Sequence, residues 1–273
     1  MGAGDNRSLM PNNTISETHP GLDAYLDGDQ FSDTYPLDVS PFTEAYDAHD
    51  RQDTLEDLYR GKRVLHLGCT DHLGLIDDRI AAGRHLHARL SKTTADCIGI
   101  DIDDESIEYL RARHSIDNII KLDILADELP EQISSKQWDY IVLGEILEHV
   151  DNPVEFLSQL KDRFASCCDS IMITVPNAFG LAATKQYRNN RIEMINSDHR
   201  YWFSPFTLLK VMRRAGFSPD SLIYADPPGH RWPVKLINLV LGIVGAHPLA
   251  SHRANMASTL IGISRLSGSR AAD

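Results

Sequence analysis

Three side chains that can move or hold a proton lie close together near the middle of the sequence. They are Glu145, Glu148 and His149, in the run Gly-Glu-Ile-Leu-Glu-His-Val. If this run forms a helical turn, residues three and four apart share a face, so the carboxylates and the imidazole meet. A histidine beside carboxylates has a tunable pKa and can remove a proton from a hydroxyl. The same side chains can instead hold a divalent metal or cap the next helix.

A second histidine lies in a run of polar and aromatic residues further along the chain. Residues 196–203 read Asn-Ser-Asp-His-Arg-Tyr-Trp-Phe, so His199 stands between Asp198 and three aromatic side chains. This composition is typical of a pocket wall, and it also suits packing in front of the next helix. Packing explains the aromatic residues better than it explains the acid and the histidine. We therefore predict His149, His199 and Glu148 as catalytic residues, with a histidine as base and the carboxylate orienting it.

Two strand ends form a candidate nucleotide pocket. A buried strand over 63–67 runs into Gly68, where the lack of a Cβ lets a ligand approach the backbone. Gly74 is expected to allow close packing of the helix that follows. A second buried strand over 97–101 ends in Asp101, whose carboxylate can accept both hydroxyls of a ribose. The acids that follow can cap the next helix, which leaves Asp101 free for a ligand.

A third acid, Asp123, ends the strand predicted over 119–122. Its position suits a contact with the exocyclic amine of an adenine, and Ile124 can pack against the ring. An ordinary loop acid would explain Asp123 equally well.

Continuous apolar strands alternate with helices along most of the chain. Strands are predicted at 63–67, 97–101, 119–122, 138–143, 170–175, 221–225 and 258–264, and helices at about 41–60, 73–91, 103–114, from 152, and 205–215. Apolar strands separated by helices indicate an α/β fold, with a parallel sheet covered on both faces.

The composition of the flanking segments suggests how the chain is divided. We predict a disordered N-terminus over 1–20, a helical cap over 21–60, a main domain over 61–265 and a flexible tail over 266–273. The main domain carries an insertion over 226–256, with an apolar helix from Val234 to Ala246. That helix is shorter than the ~20 residues a membrane span needs. It can touch a membrane or a lipid tail, or serve as a core or dimer helix.

Charge and cysteine content exclude several classes of partner. The formal net charge is -12 and no block of Lys or Arg stands out, so we expect no nucleic acid partner. The four cysteines include no CxxC pair, which argues against a zinc site or a disulfide framework. With no apolar signal core at the N-terminus, these features predict a cytoplasmic protein.

Together these residues resemble class I S-adenosylmethionine-dependent methyltransferases over about residues 62–265. The resemblance lies in 64–69 (motif I), 98–101 (motif II) and 139–149 (motif IV). A subgroup associated with glycan and polysaccharide modification shares the segment at 174–179 and the Asn-x-Asp-His at 196–199. Quinone-biosynthesis O-methyltransferases share the Glu-x-x-Glu-His element.

The resemblance implies a fold and a set of ligand contacts. The fold is a Rossmann-like seven-stranded, mostly parallel sheet with an antiparallel last strand. The implied cofactor contacts are Gly68 and Thr70 to the methionine part, Asp101 and Ile102 to the ribose, Asp123 and Ile124 to the adenine, and Glu145 facing the cofactor. In the quinone enzymes and some RNA 2′-O-methyltransferases, Glu-x-x-Glu-His plus a distant histidine binds a divalent cation. The matching set here is Glu145, Glu148, His149 and His199.

The expected function is S-adenosylmethionine-dependent O-methylation of a sugar, a glycan or another small hydroxylated metabolite. A quinone or lipid-linked acceptor is the alternative. A non-catalytic cofactor-binding member of the fold is the other alternative, because motif I is altered: His66 replaces the usual acid, and Thr70 and His72 replace glycines. A nicotinamide-dependent oxidoreductase is disfavoured, since the chain has no GxGxxG and no Tyr-x-x-x-Lys pair.

Overall fold

Seven strands form a single sheet in the computed structural model, which describes residues 14–44, 50–228 and 251–266. The strands are β1 (Arg63–Leu67), β2 (Asp96–Asp101), β3 (Ile119–Lys121), β4 (Trp138–Gly144), β5 (Cys168–Pro176), β6 (Ser218–Ala225) and β7 (Thr259–Arg265). Their order is β3-β2-β1-β4-β5-β7-β6, and β7 runs antiparallel to both of its neighbours. The predicted Rossmann-like sheet with an antiparallel last strand is confirmed.

Helices cover both faces of this sheet. They are α1 (Ile15–Thr18), α2 (Leu22–Asp27), α3 (Ser40–Glu44), α4 (Arg51–Tyr59), α5 (Ile76–Ala81), α6 (Leu86–Thr93), α7 (Asp104–His114), α8 (Glu131–Ser134), α9 (Pro153–Phe164), α10 (Leu181–Asn190) and α11 (Pro205–Arg214). Along β1, Leu65 and Leu67 join the core that includes α9 and α11, whereas Val64 joins the core under α4 and α6. Successive side chains of a strand point to opposite faces of the sheet. A strand that is buried on both faces therefore carries apolar residues at consecutive positions.

Local capping explains where several helices begin. Asn152 caps α9 and is followed by a proline, and Ser204 forms a capping box at the start of α11, which also opens with a proline. Asp103 accepts hydrogen bonds from the first turn of α7. These residues satisfy backbone N–H groups that have no partner within the helix.

Two predicted helices are interrupted. The helix predicted over 73–91 is a short 3₁₀ turn (Leu73–Leu75) followed by α5 and α6, which are separated near Gly83, whose φ is +66°. His85 then caps α6 through Nδ1. The helix predicted over 41–60 is divided into α3 and α4, and residues 45–49 lie outside the described part of the chain.

The N-terminal segment differs from its prediction. We expected disorder over 1–20, but Thr14 caps α1 and Ile15 is buried; residues 1–13 lie outside the described part. Helices α1 to α3 pack at the β6 and α11 side of the sheet, where Arg213 pairs with Asp27. Among the described residues of the predicted helical cap (21–44 and 50–60), only α4 lies beside the cavity described below. The domain limits stay a prediction.

Two further predictions concern residues that the structure does not describe in full. The apolar helix predicted from Val234 to Ala246 and all but the first residue of the tail at 266–273 lie outside the described residues. No helix within the described part of the chain is both long enough and apolar enough to cross a membrane.

Candidate functional site

A cavity of about 670 Å³ opens where β1, β2 and β4 end. This is the edge where open α/β sheets bind ligands. Its wall includes the predicted residues Gly68, Thr70, Asp101, Ile102, Glu145, His149 and His199. Asp123 and Ile124 do not line it: the Asp123 carboxylate accepts hydrogen bonds from the backbone of its own loop, and Ile124 packs against the core. Their adenine contact stays a prediction.

The turn after β1 requires glycine at position 68. Gly68 has a φ of +61°, and a Cβ there would lie 2.6 Å from Cδ1 of Ile146. Any residue with a side chain would therefore be unfavourable at this position for two reasons: its backbone conformation and its contact with Ile146. A Cβ on Gly74 would meet nothing within 4 Å, so the structure does not show the packing role expected for that glycine.

Asp101 connects the turns that follow β1 and β2. Its Oδ2 accepts hydrogen bonds from the backbone N–H (3.0 Å) and the hydroxyl (2.8 Å) of Thr70. Its Oδ1 accepts from the backbone N–H groups of Ile102 (2.8 Å) and Asp103 (3.1 Å). The carboxylate thus lies on the cavity wall, but the protein already supplies four donors to it. A ribose hydroxyl would share or replace one of them.

Glu145 lies on the cavity wall in an ion pair. Its Oε1 is 3.0 Å from Nη1 of Arg51 and accepts a 3.0 Å hydrogen bond from the Thr174 hydroxyl. The backbone of Glu145 has a φ of +59°, an uncommon conformation for a residue with a side chain. Thr174 also accepts a hydrogen bond from the Glu145 backbone N–H. The Glu145 carboxylate is thus already paired, and it is not among the side chains that cluster around Glu148.

Glu148, His149 and His199 form a cluster in which the two histidines line the cavity and Glu148, although predicted as a site residue, is buried and does not line it. Their ligand atoms all lie within 4.8 Å of one another. The rings of the two histidines meet edge to face with centroids 4.6 Å apart, and Nε2 of His199 is 3.8 Å from Oε1 of Glu148. Glu148 belongs to the 3₁₀ turn Leu147–His149, and its carbonyl accepts a 2.8 Å hydrogen bond from the backbone N–H of Arg200. This bond holds the loop that carries His199 against the turn.

Burial sets the protonation of this cluster. The Glu148 side chain is 0% exposed, and neither carboxyl oxygen has a hydrogen-bond partner. Burial raises the pKa of Glu148 to about 8, and the nearby Glu145 charge contributes to the rise. Burial also lowers the pKa of His199, and His149 contributes to that shift. At neutral pH the carboxyl of Glu148 is therefore mostly protonated, and His199 is neutral and able to accept a proton.

Two features of the wall were missed in the sequence. Arg51 starts α4, and its backbone N–H donates to Asp226 at 2.8 Å, which places the guanidinium beside Glu145. Beneath the turn after β1, His66, His85 and His87 are buried together. No sequence pattern predicts that Arg51 lies beside Glu145, because the two are far apart in the chain. The close spacing of His85 and His87 ahead of a buried strand, in contrast, was a signal in the sequence.

Comparison with known proteins finds a family to which most of the chain is similar. A family model described as "Methyltransferase domain" matches residues 43–222, well over half of the chain. No curated protein matches the sequence.

Solved structures are similar to this chain only at low identity and with TM-scores below 0.5. They include a SAM dependent methyltransferase from Archaeoglobus fulgidus, with 18% identity over 78% of this chain and 94% of that one, and a TM-score of 0.44. A possible histamine N-methyltransferase from Thermotoga maritima has 13% identity over 79% and 87% of the two chains, and a TM-score of 0.48. Similarities this weak carry no conclusion about a substrate.

Proposed function

The chain belongs to the methyltransferase-domain family, and we propose that it transfers a methyl group from S-adenosylmethionine to a hydroxyl of a small acceptor. When bound, this cofactor supplies an electrophilic methyl group on a sulfonium. The observation that carries the assignment to oxygen is the cluster of Glu148, His149 and His199 at the cavity. A hydroxyl must lose its proton as it attacks, so a nearby neutral imidazole is useful.

The cavity residues fit an adenosyl cofactor. Gly68 lines the cavity without a side chain of its own, and Ile102 is 68% exposed beside it. An exposed apolar side chain at the strand end gives an aromatic base a surface to pack against. We assign the ribose to Asp101, with its hydroxyls competing for the carboxylate against Thr70.

His149 is assigned as the base that takes the hydroxyl proton. His199 is assigned as a positioning residue because its ring meets the ring of His149 edge to face. Glu148 is assigned the same role because its carboxyl lies beside Nε2 of His199. Aligning the acceptor oxygen with the methyl group supplies most of the rate, since proximity alone can supply roughly 7–11 kcal/mol. General base catalysis adds a factor of about 10²–10⁴.

The same cluster is chemically suited to a divalent cation. Carboxylate oxygens and imidazole nitrogens are ordinary ligands for such ions, and both Glu148 oxygens and Nδ1 of His199 are buried without a partner. Glu148, His149 and His199 would hold the ion, whereas Glu145 pairs with Arg51 instead. A bound cation would polarise the acceptor oxygen and favour its deprotonation.

The acceptor is assigned by chemistry. The net charge of -12 disfavours a nucleic acid, so we assign a small molecule or a glycan. A sugar acceptor is supported only by the resemblance at 174–179 and 196–199. A lipid-linked or quinone-like acceptor is the second candidate, favoured by the apolar groove described in the next subsection. A cytoplasmic location stays a prediction.

Binding and turnover test this function separately. We expect S-adenosylmethionine to bind the wild type in calorimetry, and His149→Ala to bind it within about twofold while losing about 100-fold or more in methyl transfer. Transfer is measured with a radiolabelled methyl donor and a panel of hydroxylated sugars, alkyl glycosides and phenols. Parallel assays with EDTA or added Mn²⁺ show whether a cation supports the base.

The outcomes discriminate between the alternatives. Full activity in His149→Ala would remove the base assignment. Binding of the cofactor without transfer to any acceptor would favour a non-catalytic member of the fold. Stimulation by Mn²⁺ that Glu148→Gln abolishes would assign the cluster to a metal.

A further inference from the structure

Exposed apolar side chains are concentrated in one stretch of the described chain. The described part of the chain has ten exposed large hydrophobic residues. Six of them lie between positions 179 and 201: Phe179, Tyr187, Ile192, Met194, Ile195 and Tyr201. Helix α10, which begins this stretch, has no buried residue. A soluble surface rarely gathers so many apolar groups without a ligand or partner to cover them.

Part of this surface forms a groove of about 280 Å³. Its walls include Ala178, Ala183 and Tyr187 on one side and Met194 and Trp202 on the other. Two polar groups of the groove are already paired: Trp202 Nε1 donates to Glu193 at 2.8 Å, and the Thr184 hydroxyl donates to the Gly180 carbonyl at 2.9 Å. An occupant therefore meets mainly apolar surface.

Arg188 is the exception in this groove. It lines the wall, and its guanidinium forms no ion pair or hydrogen bond with any residue of the described part. Lys185 and Arg191 stand in the same helical stretch, although the whole chain carries a net charge of -12. Neither of these two lines the groove, and the Glu193 carboxylate, which does, accepts from Trp202, so Arg188 is the side chain that complements an acidic group on the occupant.

One loop borders both the groove and the cavity. Met194 and Trp202 line the groove, whereas Asn196 and His199 line the cavity. The loop is fixed at its end, where the Ala178 backbone N–H donates to the Phe203 carbonyl at 2.8 Å. The same loop therefore supplies side chains both to the groove and to the histidine cluster.

We propose that the groove between α10 and residues 193–202 binds the apolar body of the methyl acceptor, with Arg188 pairing with an acidic group on it. The substrate class is then an amphipathic, hydroxylated acid whose hydroxyl reaches the cluster at His149 and His199. The groove volume is near the lower end of the roughly 300–1,000 Å³ typical of ligand sites, which suits one ring or a short acyl segment. This inference rests on the proposed function for the identity of the reaction.

The first test uses 8-anilinonaphthalene-1-sulfonate, an apolar fluorescent anion, as the probe. We expect saturable binding to the wild type, weakened at least tenfold in Ala183→Trp, which fills the groove. Ala182→Trp is the matched control, because Ala182 is exposed on the same helix and does not line the groove. Arg188→Gln should weaken the probe severalfold. Equal probe binding in Ala183→Trp and the wild type would overturn the proposal.

The second test connects the groove to catalysis. For any acceptor that the wild type methylates, we expect Ala183→Trp to raise KM at least tenfold with kcat and cofactor affinity unchanged, and Ala182→Trp to change neither. The probe should compete with the acceptor and not with S-adenosylmethionine. An unchanged KM in Ala183→Trp overturns the proposal. A second result would also overturn it: anionic phospholipid vesicles bind the wild type but not Ala183→Trp, while the KM of that variant is unchanged. The groove would then face a membrane.

The two proposals fail in different ways. If no acceptor is methylated but the probe binding still depends on Ala183, the proposed function fails and the groove is no acceptor site. If methyl transfer proceeds and the groove variants leave KM unchanged, only the groove assignment fails.

Discussion

At the scale of single residues, Asp101 has two roles that must be separated. A carboxylate has about four lone-pair positions, and four protein donors approach that of Asp101. The hydroxyl of Thr70 is the donor that a ligand can replace most readily, because the other three belong to the backbone. Ribose binding and the folding of the two turns therefore both depend on the Asp101 carboxylate.

Substitution of each partner separates these roles. We expect Asp101→Asn to weaken S-adenosylmethionine at least tenfold, because the amide loses charge and one acceptor. Thr70→Val should bind the cofactor as well as or better than the wild type, since it frees Oδ2 for a ribose hydroxyl. Calorimetry measures both affinities, and thermal unfolding reports any loss of the turn. Equal weakening in the two variants would mean that Asp101 acts only by holding the turn.

At the scale of elements, the contact between β2 and α6 depends on a small residue. A Cβ on Gly99 would lie 2.6 Å from the Cys69 sulfur and 2.8 Å from Cε1 of His87. Both neighbours are buried, so neither can move away freely. The strand, the turn after β1 and the helix therefore pack as one unit that supports the cavity floor.

A pair of glycine substitutions tests this packing. Gly99→Ala should lower the free energy of unfolding by about 1–3 kcal/mol, the usual cost of overpacking a core. Gly74→Ala, where a Cβ meets nothing within 4 Å, should change it little. Urea titrations of the two variants give the comparison; similar stabilities for both would show that the core near His87 can relax.

At the scale of the whole molecule, buried histidines make stability depend on pH. Burial lowers the pKa of His66, His85 and His87, and that of His87 falls to about 4, with His85 contributing to the shift. In the unfolded chain a histidine titrates near 6.5. Between these values the unfolded state binds more protons than the folded state, so stability increases with pH and is lost as pH falls from about 6.5 towards 4.

The expected loss is large enough to measure. From pH 6.5 to pH 5, His87 alone should cost about 2 kcal/mol of stability, since one pKa unit corresponds to about 1.4 kcal/mol. Urea unfolding at pH 7 and pH 5 gives the difference. His87→Gln should reduce it, whereas His72→Gln, at an exposed position, should leave it as in the wild type. A pH dependence unchanged by His87→Gln would contradict this account.

The order of the elements and the cavity edge could be predicted from the sequence, because the signals are local. Apolar runs mark the strands, Asn152 and Ser204 mark helix starts, and Asp101 stands at a strand end that topology brings to the ligand edge. The break near Gly83 was missed, since a glycine within a helical pattern is also tolerated in a continuous helix.

The sequence by itself determined the strands and the placing of Glu148, His149 and Asp101 at their carboxyl ends, because apolar runs mark the strands; the seven-stranded sheet with an antiparallel last strand was implied by the family resemblance. Only the tertiary structure decided that Glu145 pairs with Arg51 and not with Glu148, and that His199 joins the cluster. It also decided which groups are neutral at pH 7. Contacts between distant segments and the loss of water around a buried charge are properties of the packed molecule, and no short stretch of sequence encodes them.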